Sequence, residues 1–379
     1  MNILIVRNAA NKVNPNSYNL QEIGLGRALI KKEINCDIVY SNDKGKSYKE
    51  EIDRKGDISL NILWTKVSYK IFNNAIYSEL LKKNFYDKYD VVILTEYTQV
   101  MTYLISNIIP EKSVLYQGPY KDSKKIVQTI YDLLFLNKIK NNVRMVFTKS
   151  KLAEEYMKSK GFNKIFTIGV GFNIENIICD NSNKNEENNL IIDIKKQIKG
   201  KKVLLYIGVF EERRNIKFLI DVFNNLRKED KNIVLLLIGN GKNKDQYFEY
   251  IDELGIKDSI VYINKVEQKD LKQIHDLSTI FLLPTKYEIY GMVLLESMYL
   301  GTPVITSLNG GSSMLIENEE TGYILDEFIV EKWSNKIKYL LSNIELQEKI
   351  KKKSRKRISE EFTWDIIAEK FLYTIRNNN

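Results

Sequence analysis

Short apolar runs alternate with longer amphipathic stretches along most of the chain. Residues 1–6 form an apolar run, residues 21–32 repeat apolar positions with helical spacing, and residues 37–40 form the next run. Further short apolar runs lie at 91–95, 113–116 and 144–148. Buried strands separated by amphipathic helices are typical of parallel sheets with helices on both faces. The pattern therefore predicts a doubly wound α/β domain.

The same rhythm restarts after an interruption near the middle of the chain. Glycines break it at 168–173, and the polar stretch 180–189 cannot form a core. Later apolar runs lie at 203–207, 233–238, 259–263, 280–283 and 303–306. We therefore expect an N-terminal domain over 1–170, a second Rossmann-like domain over 171–360, and a C-terminal helix over 361–379 that packs back toward the first domain.

Length and composition agree with this reading. A chain of 379 residues with 44% hydrophobic content can fill two cores. It has no run of about 18 apolar residues, and the run 1–6 meets Arg7 without a basic leader, so we expect neither a membrane span nor a secretion signal. Cys36 and Cys179 lack metal-ligand neighbours, which indicates reduced thiols and a cytoplasmic location.

The net charge of +9 lies in the N-terminal half, since residues 1–170 carry +10 and the remainder −1. A basic half fits nucleic acid, an anionic membrane or a phosphate-bearing substrate. Because we find no recognisable motif for reading nucleic acid, we expect no nucleic acid partner. The stretches 66–88 and 121–140 mix lysine with aromatic and aliphatic residues. They are either a basic face for peripheral binding to the inner surface of the cell membrane, or helices packed on their own sheet.

The segment 284–304 carries the most specific candidate chemistry. Tyr290 and Gly291 follow an apolar run and open a predicted helix. Glycine at a helix start lets a ligand approach the backbone closely, and the free amides of Met292 and Val293 would then face an anion such as a diphosphate.

Two glutamates flank this helix start. Glu288 lies in the preceding loop, and Glu296 lies inside the helix among apolar neighbours. Two glutamates eight residues apart are common on solvated helix faces. Glu296, however, has apolar residues on both sides, where a lone buried carboxylate would be costly. This context favours a carboxylate that faces a ligand.

The segment resembles the signature of the retaining glycosyltransferases of family 4, the glycosyl transferases group 1. The shared pattern is two glutamates separated by seven residues, an aromatic–glycine pair after the first and Gly-x-Pro-Val after the second. The resemblance continues at 206–215, 237–241, 310–311, 321–322 and 362–365. It covers the C-terminal domain, whereas the N-terminal domain matches only in its alternation of predicted strands and helices. It implies the GT-B fold, in which two Rossmann-like domains face each other across a cleft.

The resemblance also implies roles for residues near the donor phosphates. Gly208 would form the family's glycine turn. Arg214 takes the place of the family's lysine and would neutralise the diphosphate leaving group, with Arg213 assisting. A departing nucleotide diphosphate accumulates negative charge, and fixed cations in a dry site stabilise it. Arg214 and Glu288 are therefore the expected catalytic residues.

By the same matching, Glu288 would hold hydroxyls of the donor sugar, Glu296 would hold the ribose, and backbone near Val266 would lie beside the base. Whether Glu288 also acts as a nucleophile is left open, although we favour a front-face reaction that needs none. Since the chain has no Asp-x-Asp triplet, we expect no metal and no cofactor.

Departures from the family pattern concern mainly the acceptor side. Asn16 and Ser17 occupy the place of the family's glycine pair, and the region from Gln117 to Tyr120 lacks its usual histidine. We expect these four residues, Asn16, Ser17, Gln117 and Tyr120, to face acceptor or sugar. Val209 and Met314 replace a usual arginine and a usual acidic residue. The single histidine, His275, is expected on a surface helix without a catalytic role.

These observations predict a retaining, metal-independent glycosyltransferase that moves a sugar from a nucleotide diphosphate to a glycan, lipid-linked or protein-linked acceptor, in bacterial surface polysaccharide or glycoconjugate synthesis. The choice of UDP follows from the resemblance, and GDP stays open. The departures leave an alternative, a catalytically silent subunit that binds a partner protein or glycan. Retention of Glu288, Arg214 and Glu296 argues against it. An epimerase-like enzyme of the same fold would need further acid–base residues.

Overall fold

The computed structural model describes residues 1–8, 13–15, 17, 20–42, 45–71, 74–122, 125–174 and 189–378. The chain divides into two compact units, which we call unit 1 (Met1–Phe172 with Phe362–Asn379) and unit 2 (Asn173–Glu361). The expected boundary at residue 170 lies two residues before this division. The C-terminal helix belongs to unit 1, where Lys32 Nζ lies 2.6 Å from Glu369 Oε1.

Unit 1 is built on a mostly parallel sheet. Its strands are β1 (Asn2–Val6), β2 (Asn35–Asn42), β3 (Tyr48–Lys55), β4 (Ile58–Lys66), β7 (Val91–Thr95), β8 (Ser113–Gln117), β9 (Val146–Thr148) and β10 (Ile165–Thr167), with a separate hairpin of β5 (Tyr69–Ile71) and β6 (Asn74–Ile76). The order is β10-β9-β8-β7-β1-β2-β4-β3, and only the edge strand β3 runs antiparallel to its neighbour.

Helices cover the faces of this sheet. They are α1 (Gln21–Lys31), α2 (Val100–Ile108), α3 (Lys125–Tyr131), a π-helical turn (Asp132–Leu136), α4 (Asn137–Asn142) and α5 (Lys151–Ser159). Ser150 caps α5, because its Oγ accepts a hydrogen bond from the amide of Ala153 at 3.1 Å. The strands β1 and β7 lie in the centre of the sheet and are almost wholly buried, as expected for strands with helices on both faces.

The sequence pattern missed the β3–β4 edge of unit 1. Strand β3 is mostly exposed and charged, so it has none of the apolar character by which a buried strand is recognised. The alternative of helices for the stretch 66–88 is wrong, because the described residues there form the β5–β6 hairpin and two short 3₁₀ turns, Ser78–Leu81 and Lys83–Tyr86.

Unit 2 has a fully parallel sheet. Its strands are β11 (Lys202–Ile207), β12 (Ile233–Ile238), β13 (Ile260–Ile263), β14 (Ile280–Leu283), β15 (Val304–Thr306) and β16 (Tyr323–Ile324), in the order β13-β12-β11-β14-β15-β16. The described helices are α6 (Asn189–Ile198), α7 (Ile216–Glu229), α8 (Lys244–Glu253), α9 (Leu271–Asp276), α10 (Met292–Leu300), α11 (Ser312–Leu315), α12 (Val330–Ser342) and α13 (Ile344–Glu361); α14 (Trp364–Asn377) returns to unit 1.

Each sheet reverses its strand order at one point. In unit 2, β12 and β13 lie on one side of β11, whereas β14 lies on the other side. In unit 1 the same reversal separates β2 from β7 around β1. The chain leaves two neighbouring strands in opposite directions at such a point, which opens a crevice beyond their carboxyl ends. The topology therefore places one candidate ligand crevice on each unit.

His275 is buried and not on the surface as expected. The residue is 3% exposed in α9, and its Nδ1 lies 2.9 Å from Oγ1 of Thr302. Burial lowers the pKa of His275 to about 3, so the imidazole is neutral near pH 7. Separately, no described helix has the length and apolar character that crossing a bilayer requires.

Candidate functional site in unit 2

The loops that follow β11 and β14 are tied to each other by hydrogen bonds. A 3₁₀ turn, Glu212–Arg214, follows β11, and its Arg213 carbonyl accepts a bond from the Lys286 amide at 2.8 Å. The Thr285 hydroxyl, which is fully buried, lies 3.0 Å from the same carbonyl. These bonds fix the two loops on either side of the crevice in unit 2.

The two loops bring Arg214 and Glu288 together. Arg214 Nη1 forms an ion pair with Glu288 Oε2, and both side chains are only 13% exposed. Arg213 is 41% exposed, and its Nη1 lies 3.5 Å from the same carboxylate oxygen. Nε of Arg214 is buried and has no hydrogen-bond partner among the described residues. Glu288 thus orients two arginines, and Arg214 keeps unused donor capacity.

Arg213 is held more loosely by polar neighbours. Its Nε donates to Glu211 Oε2 at 2.8 Å, and Nη1 donates to the Tyr287 carbonyl at 3.3 Å. Tyr206 lies near both arginines, and burial raises the pKa of its hydroxyl. Arg214 thus lies near the Glu288 carboxylate, the Arg213 guanidinium and a neutral phenol.

Glycines pack the backbone of this site closely. A Cβ on Gly310 would overlap the Ile289 carbonyl, and one on Gly311 would overlap the Tyr290 carbonyl. Gly310 also donates its amide to the Glu288 carbonyl at 3.0 Å. On the β11 side, a Cβ on Gly239 would overlap the carbonyl of Gly208. Only glycine fits at these contacts, so the loop that carries Glu288 has a fixed path.

Helix α10 begins beside the paired charges. Gly291 is its N-cap with φ of 78°, in the left-handed region that glycine tolerates. Met292 and Val293 form its first turn and are half-buried. The first amides of a helix have no partners inside the helix and carry partial positive charge. The helix start, Arg213 and Arg214 therefore converge near one crevice.

The other predicted donor residues take different positions. Tyr290 is 1% exposed and packs inside the unit, so it supports the loop. Glu296 lies one turn into α10 and is 5% exposed. Val266 lies in the loop after β13, which is separated from β14 by two strands of the sheet, and is half-buried. The structure thus brings Arg213, Arg214, Glu288 and the α10 start together, with Val266 farther along the same sheet edge.

The predicted acceptor-side residues are in unit 1. Asn16 lies outside the described residues, while Ser17 and Tyr120 lie in loops and are at least partly exposed. Gln117 is fully buried; its Oε1 accepts from the Tyr97 amide at 3.0 Å and its Nε2 donates to the Pro119 carbonyl at 2.9 Å. Gln117 thus positions two loops, and its predicted contact with sugar or acceptor stays a prediction.

Lys149 at the unit 1 crevice was missed by the sequence analysis. It directly follows β9, and its Nζ donates to Gln21 Oε1 at 2.8 Å. Burial lowers the pKa of Lys149, an effect that the carboxylates of Glu22 and Glu96 oppose and Arg7 reinforces. The signal was present, since Lys149 follows a predicted strand directly, as Arg7 and Glu96 do.

The backbone of Glu96, at the unit 1 crevice, has an uncommon conformation. It follows β7 with φ of 62°, an uncommon conformation for a residue with a side chain, and its carbonyl accepts from the Thr102 hydroxyl at 2.8 Å. Such local strain concentrates at functional sites. Asn8, after β1, is fully buried and its Oδ1 has no partner among the described residues. The crevice of unit 1 is therefore polar on both sides.

The unit 2 site suits an anion with several oxygens. Two guanidinium groups and a helix start can donate to phosphate oxygens in a partly dry environment. The described part of the chain holds no group of three His, Cys, Asp or Glu placed to bind a metal ion.

Comparisons with known proteins find relatives of part of the chain. Residues 188–357 match the family model of the glycosyl transferases group 1. The chain is 29% identical over 187 residues to spore coat protein SA of Bacillus subtilis, which covers 47% of this chain and 50% of that protein. The aligned part thus spans about half the length of this curated relative.

Two solved structures share the fold over nearly the whole chain. Sucrose-phosphate synthase of Thermosynechococcus elongatus superposes with a TM-score of 0.71 at 17% identity, covering 99% of this chain and 98% of that one. HepE of Anabaena, solved in complex with UDP and glucose, superposes with a TM-score of 0.73 at 14% identity and complete coverage of both chains. The predicted GT-B fold class is confirmed.

Proposed function

Because residues 188–357 carry the domain of the glycosyl transferases group 1, we propose that this protein is a retaining glycosyltransferase that uses a nucleotide diphosphate sugar, with UDP as the nucleotide. The observation that carries the proposal is the Arg214–Glu288 pair beside the start of α10, at the strand-order reversal of the unit 2 sheet. HepE, which shares the fold, was solved with UDP.

Arg214 and Arg213 hold the diphosphate in this proposal, and the amides at the start of α10 donate to the same phosphate oxygens. Glu288 binds hydroxyls of the donor sugar while it orients both guanidinium groups. Glu296 binds the ribose, and the backbone near Val266 lies beside the base. These roles need no metal ion, because the cations and the helix start stabilise the leaving group.

We propose a front-face reaction. The acceptor hydroxyl oxygen forms a bond to the anomeric carbon on the face from which the nucleotide leaves. The bond from that carbon to the diphosphate oxygen breaks, and the hydroxyl proton passes to the departing phosphate. The configuration of the anomeric carbon is retained without a covalent enzyme intermediate. Arg214 stabilises the charge that develops on the diphosphate.

The acceptor in this proposal is a glycan, a lipid-linked glycan or a protein, in the synthesis of a bacterial surface polysaccharide or glycoconjugate. The polar crevice of unit 1, with Arg7, Glu96 and Lys149, is the candidate place for its reacting hydroxyl. It lies at the carboxyl ends of the strands, where open sheets bind their ligands.

Binding and turnover test the proposal in turn. Melting temperature is measured with UDP and with GDP in EDTA, and then the transfer of sugar from UDP-sugars is measured in the same buffer. A nucleotide at ~100 times its dissociation constant should stabilise the protein by about 2.7 kcal/mol. Stabilisation by UDP together with EDTA-resistant turnover supports the proposal. Stabilisation without turnover on any donor, or no response to either nucleotide, contradicts the proposed activity and favours the silent subunit.

A further inference from the structure

One helical segment of unit 1 exposes aliphatic side chains to solvent. It runs through α3, the π-helical turn and α4. The exposed fractions are 78% for Ile126, 55% for Val127, 55% for Ile130, 83% for Leu133 and 60% for Leu134. We call these five residues the aliphatic face. A single exposed leucine is ordinary, but five on one short segment form a contiguous patch of the kind that marks an interaction site.

The opposite side of the same segment faces the protein and carries a polar network beside apolar side chains. Gln128 is 7% exposed, and its Nε2 donates to Tyr97 Oη at 2.9 Å and to Asp132 Oδ1 at 2.7 Å. Lys160 Nζ lies 2.7 Å from Asp132 Oδ2. Apolar side chains also face inward, because Tyr131, Phe135 and Leu136 pack against the core of unit 1. The segment therefore has apolar side chains on both sides, and those of the aliphatic face are left exposed.

This polar network fixes the rotation of the segment about its axis. Tyr131 adds to it, because its hydroxyl lies 3.0 Å from the Tyr97 carbonyl and 3.1 Å from the Gln99 carbonyl. Turning the aliphatic face inward would break these hydrogen bonds, and Gln128 and Asp132 would lose their partners. Polar groups that lose partners on burial are costly. The exposure of the aliphatic face is thus built into unit 1.

The charge around the aliphatic face is positive. Lys121, Lys125 and Lys138 are exposed on or beside the segment. The neighbouring carboxylates Asp122 and Asp132 both lie within 3.0 Å of Lys160 Nζ, which offsets one of their two charges. Together these four lysines and two carboxylates carry a net charge of +2. Unit 1 as a whole carries a net charge of +10, whereas unit 2 carries −1.

We propose that the aliphatic face inserts into the interface of an anionic phospholipid bilayer. Aliphatic side chains on a basic surface bind there through burial of apolar groups together with attraction to anionic headgroups. A second copy of this chain is a poorer occupant, because two units of net charge +10 would repel each other. The inference rests on the proposed function for its purpose, which is to bring the transferase to a membrane-anchored acceptor.

Sedimentation of the full chain with vesicles tests the inference. One set of vesicles contains phosphatidylglycerol and phosphatidylcholine, and the other contains phosphatidylcholine alone. We expect binding to the anionic set, and a loss of at least about tenfold in its partition coefficient for Leu133→Gln/Leu134→Gln. The matched control is Tyr339→Gln/Ile344→Gln, which removes exposed apolar side chains from unit 2 and should leave binding within about twofold.

Three results would overturn the inference: no sedimentation of the wild type with anionic vesicles, equal binding by the Leu133→Gln/Leu134→Gln variant, or self-association of the wild type that this variant abolishes. UDP binding by each variant is measured in parallel. If the wild type binds UDP and turns over but does not bind vesicles, only this inference is contradicted. If the wild type does not bind UDP, the proposed function is contradicted.

Discussion

At the carboxyl edge of the unit 2 sheet, close backbone packing holds the charged groups, whereas at the corresponding edge of unit 1 the cluster of side chains is held mainly by other side chains. Gly310 and Gly311 leave no room for a Cβ beside the loop that carries Glu288. Lys149 instead depends on Gln21, Glu22 and Glu96. The two crevices have the same topological origin but are constrained differently.

The difference explains why one crevice is recognisable in the sequence and the other is not. A backbone that must pass within contact distance of another backbone requires glycine at fixed positions, and this requirement leaves a spaced pattern. A polar side-chain cluster can be built from many residue types, so it leaves no such pattern in the sequence. We infer that the unit 2 crevice serves the invariant part of the reaction, the nucleotide diphosphate, and the unit 1 crevice serves a variable partner.

The largest expected effect is on turnover when Arg214 is removed. Arg214→Ala should lower kcat by about 10²- to 10³-fold, because the leaving diphosphate loses a fixed cation in a partly dry site. Arg213→Ala is the matched control and should cost about tenfold or less, since Arg213 is 41% exposed. Steady-state transfer assays check both variants. Equal losses would mean that burial of Arg214 has no bearing on catalysis.

The next effect concerns the glycine packing in unit 2. Gly311→Ala should lower the free energy of unfolding by about 3 kcal/mol and weaken UDP binding, because its Cβ would displace the Tyr290 carbonyl. Gly200→Ala has open space and only an unfavourable φ of 74°, so it should cost about 1 kcal/mol and leave UDP binding unchanged. Denaturant titration and calorimetry measure the two quantities. Normal UDP affinity in Gly311→Ala would contradict the role of the packing.

A smaller effect concerns the stability of unit 2 in acid. The pKa of His275 is about 3 in the folded protein and about 6.5 when unfolded, so the unfolded chain takes up the proton first as pH falls. This group therefore lowers the free energy of unfolding progressively below pH 6.5, by about 2 kcal/mol at pH 5. His275→Asn should remove this contribution, so its free energy of unfolding should fall less between pH 8 and pH 5 than that of the wild type. Identical pH dependence in both proteins would contradict the buried neutral state.

The smallest effect is expected in unit 1. Lys149→Met should lower kcat/KM for the acceptor about tenfold, the value of one charge-assisted hydrogen bond, without changing UDP affinity. Lys151→Met alters an exposed lysine two residues away and should change neither quantity. A fall in UDP affinity for Lys149→Met would mean that the two crevices do not divide the substrates as we propose.

Much of the fold was predictable, because fully buried strands such as β12 form apolar runs that the pattern detects directly. The antiparallel edge strand β3 was not, since its exposed charged residues carry no periodic signal. In the candidate site, Arg214 and Glu288 were predicted from two separate segments that resemble the family signature, but their ion pair was not. Pairing of residues 74 positions apart depends on β11 and β14 being neighbours, which only the topology shows.

The burial of His275 could not be predicted for a similar reason. A short helix such as α9 has too few residues to show which side faces the sheet. The residue that partners its ring, Thr302, lies 27 positions away, so the local pattern carries no trace of the contact. Local pattern therefore predicts elements, and the contacts that make a site follow from their arrangement.

Amide hydrogen exchange with and without saturating UDP tests the central claim most directly, that the crevice of unit 2 holds the nucleotide diphosphate. The account predicts that UDP slows exchange most strongly in the loop 208–215 and in the segment 288–296, which contain the arginines and the start of α10. Strongest slowing in the loops after β1, β7 and β9 of unit 1, or no slowing anywhere, would contradict it.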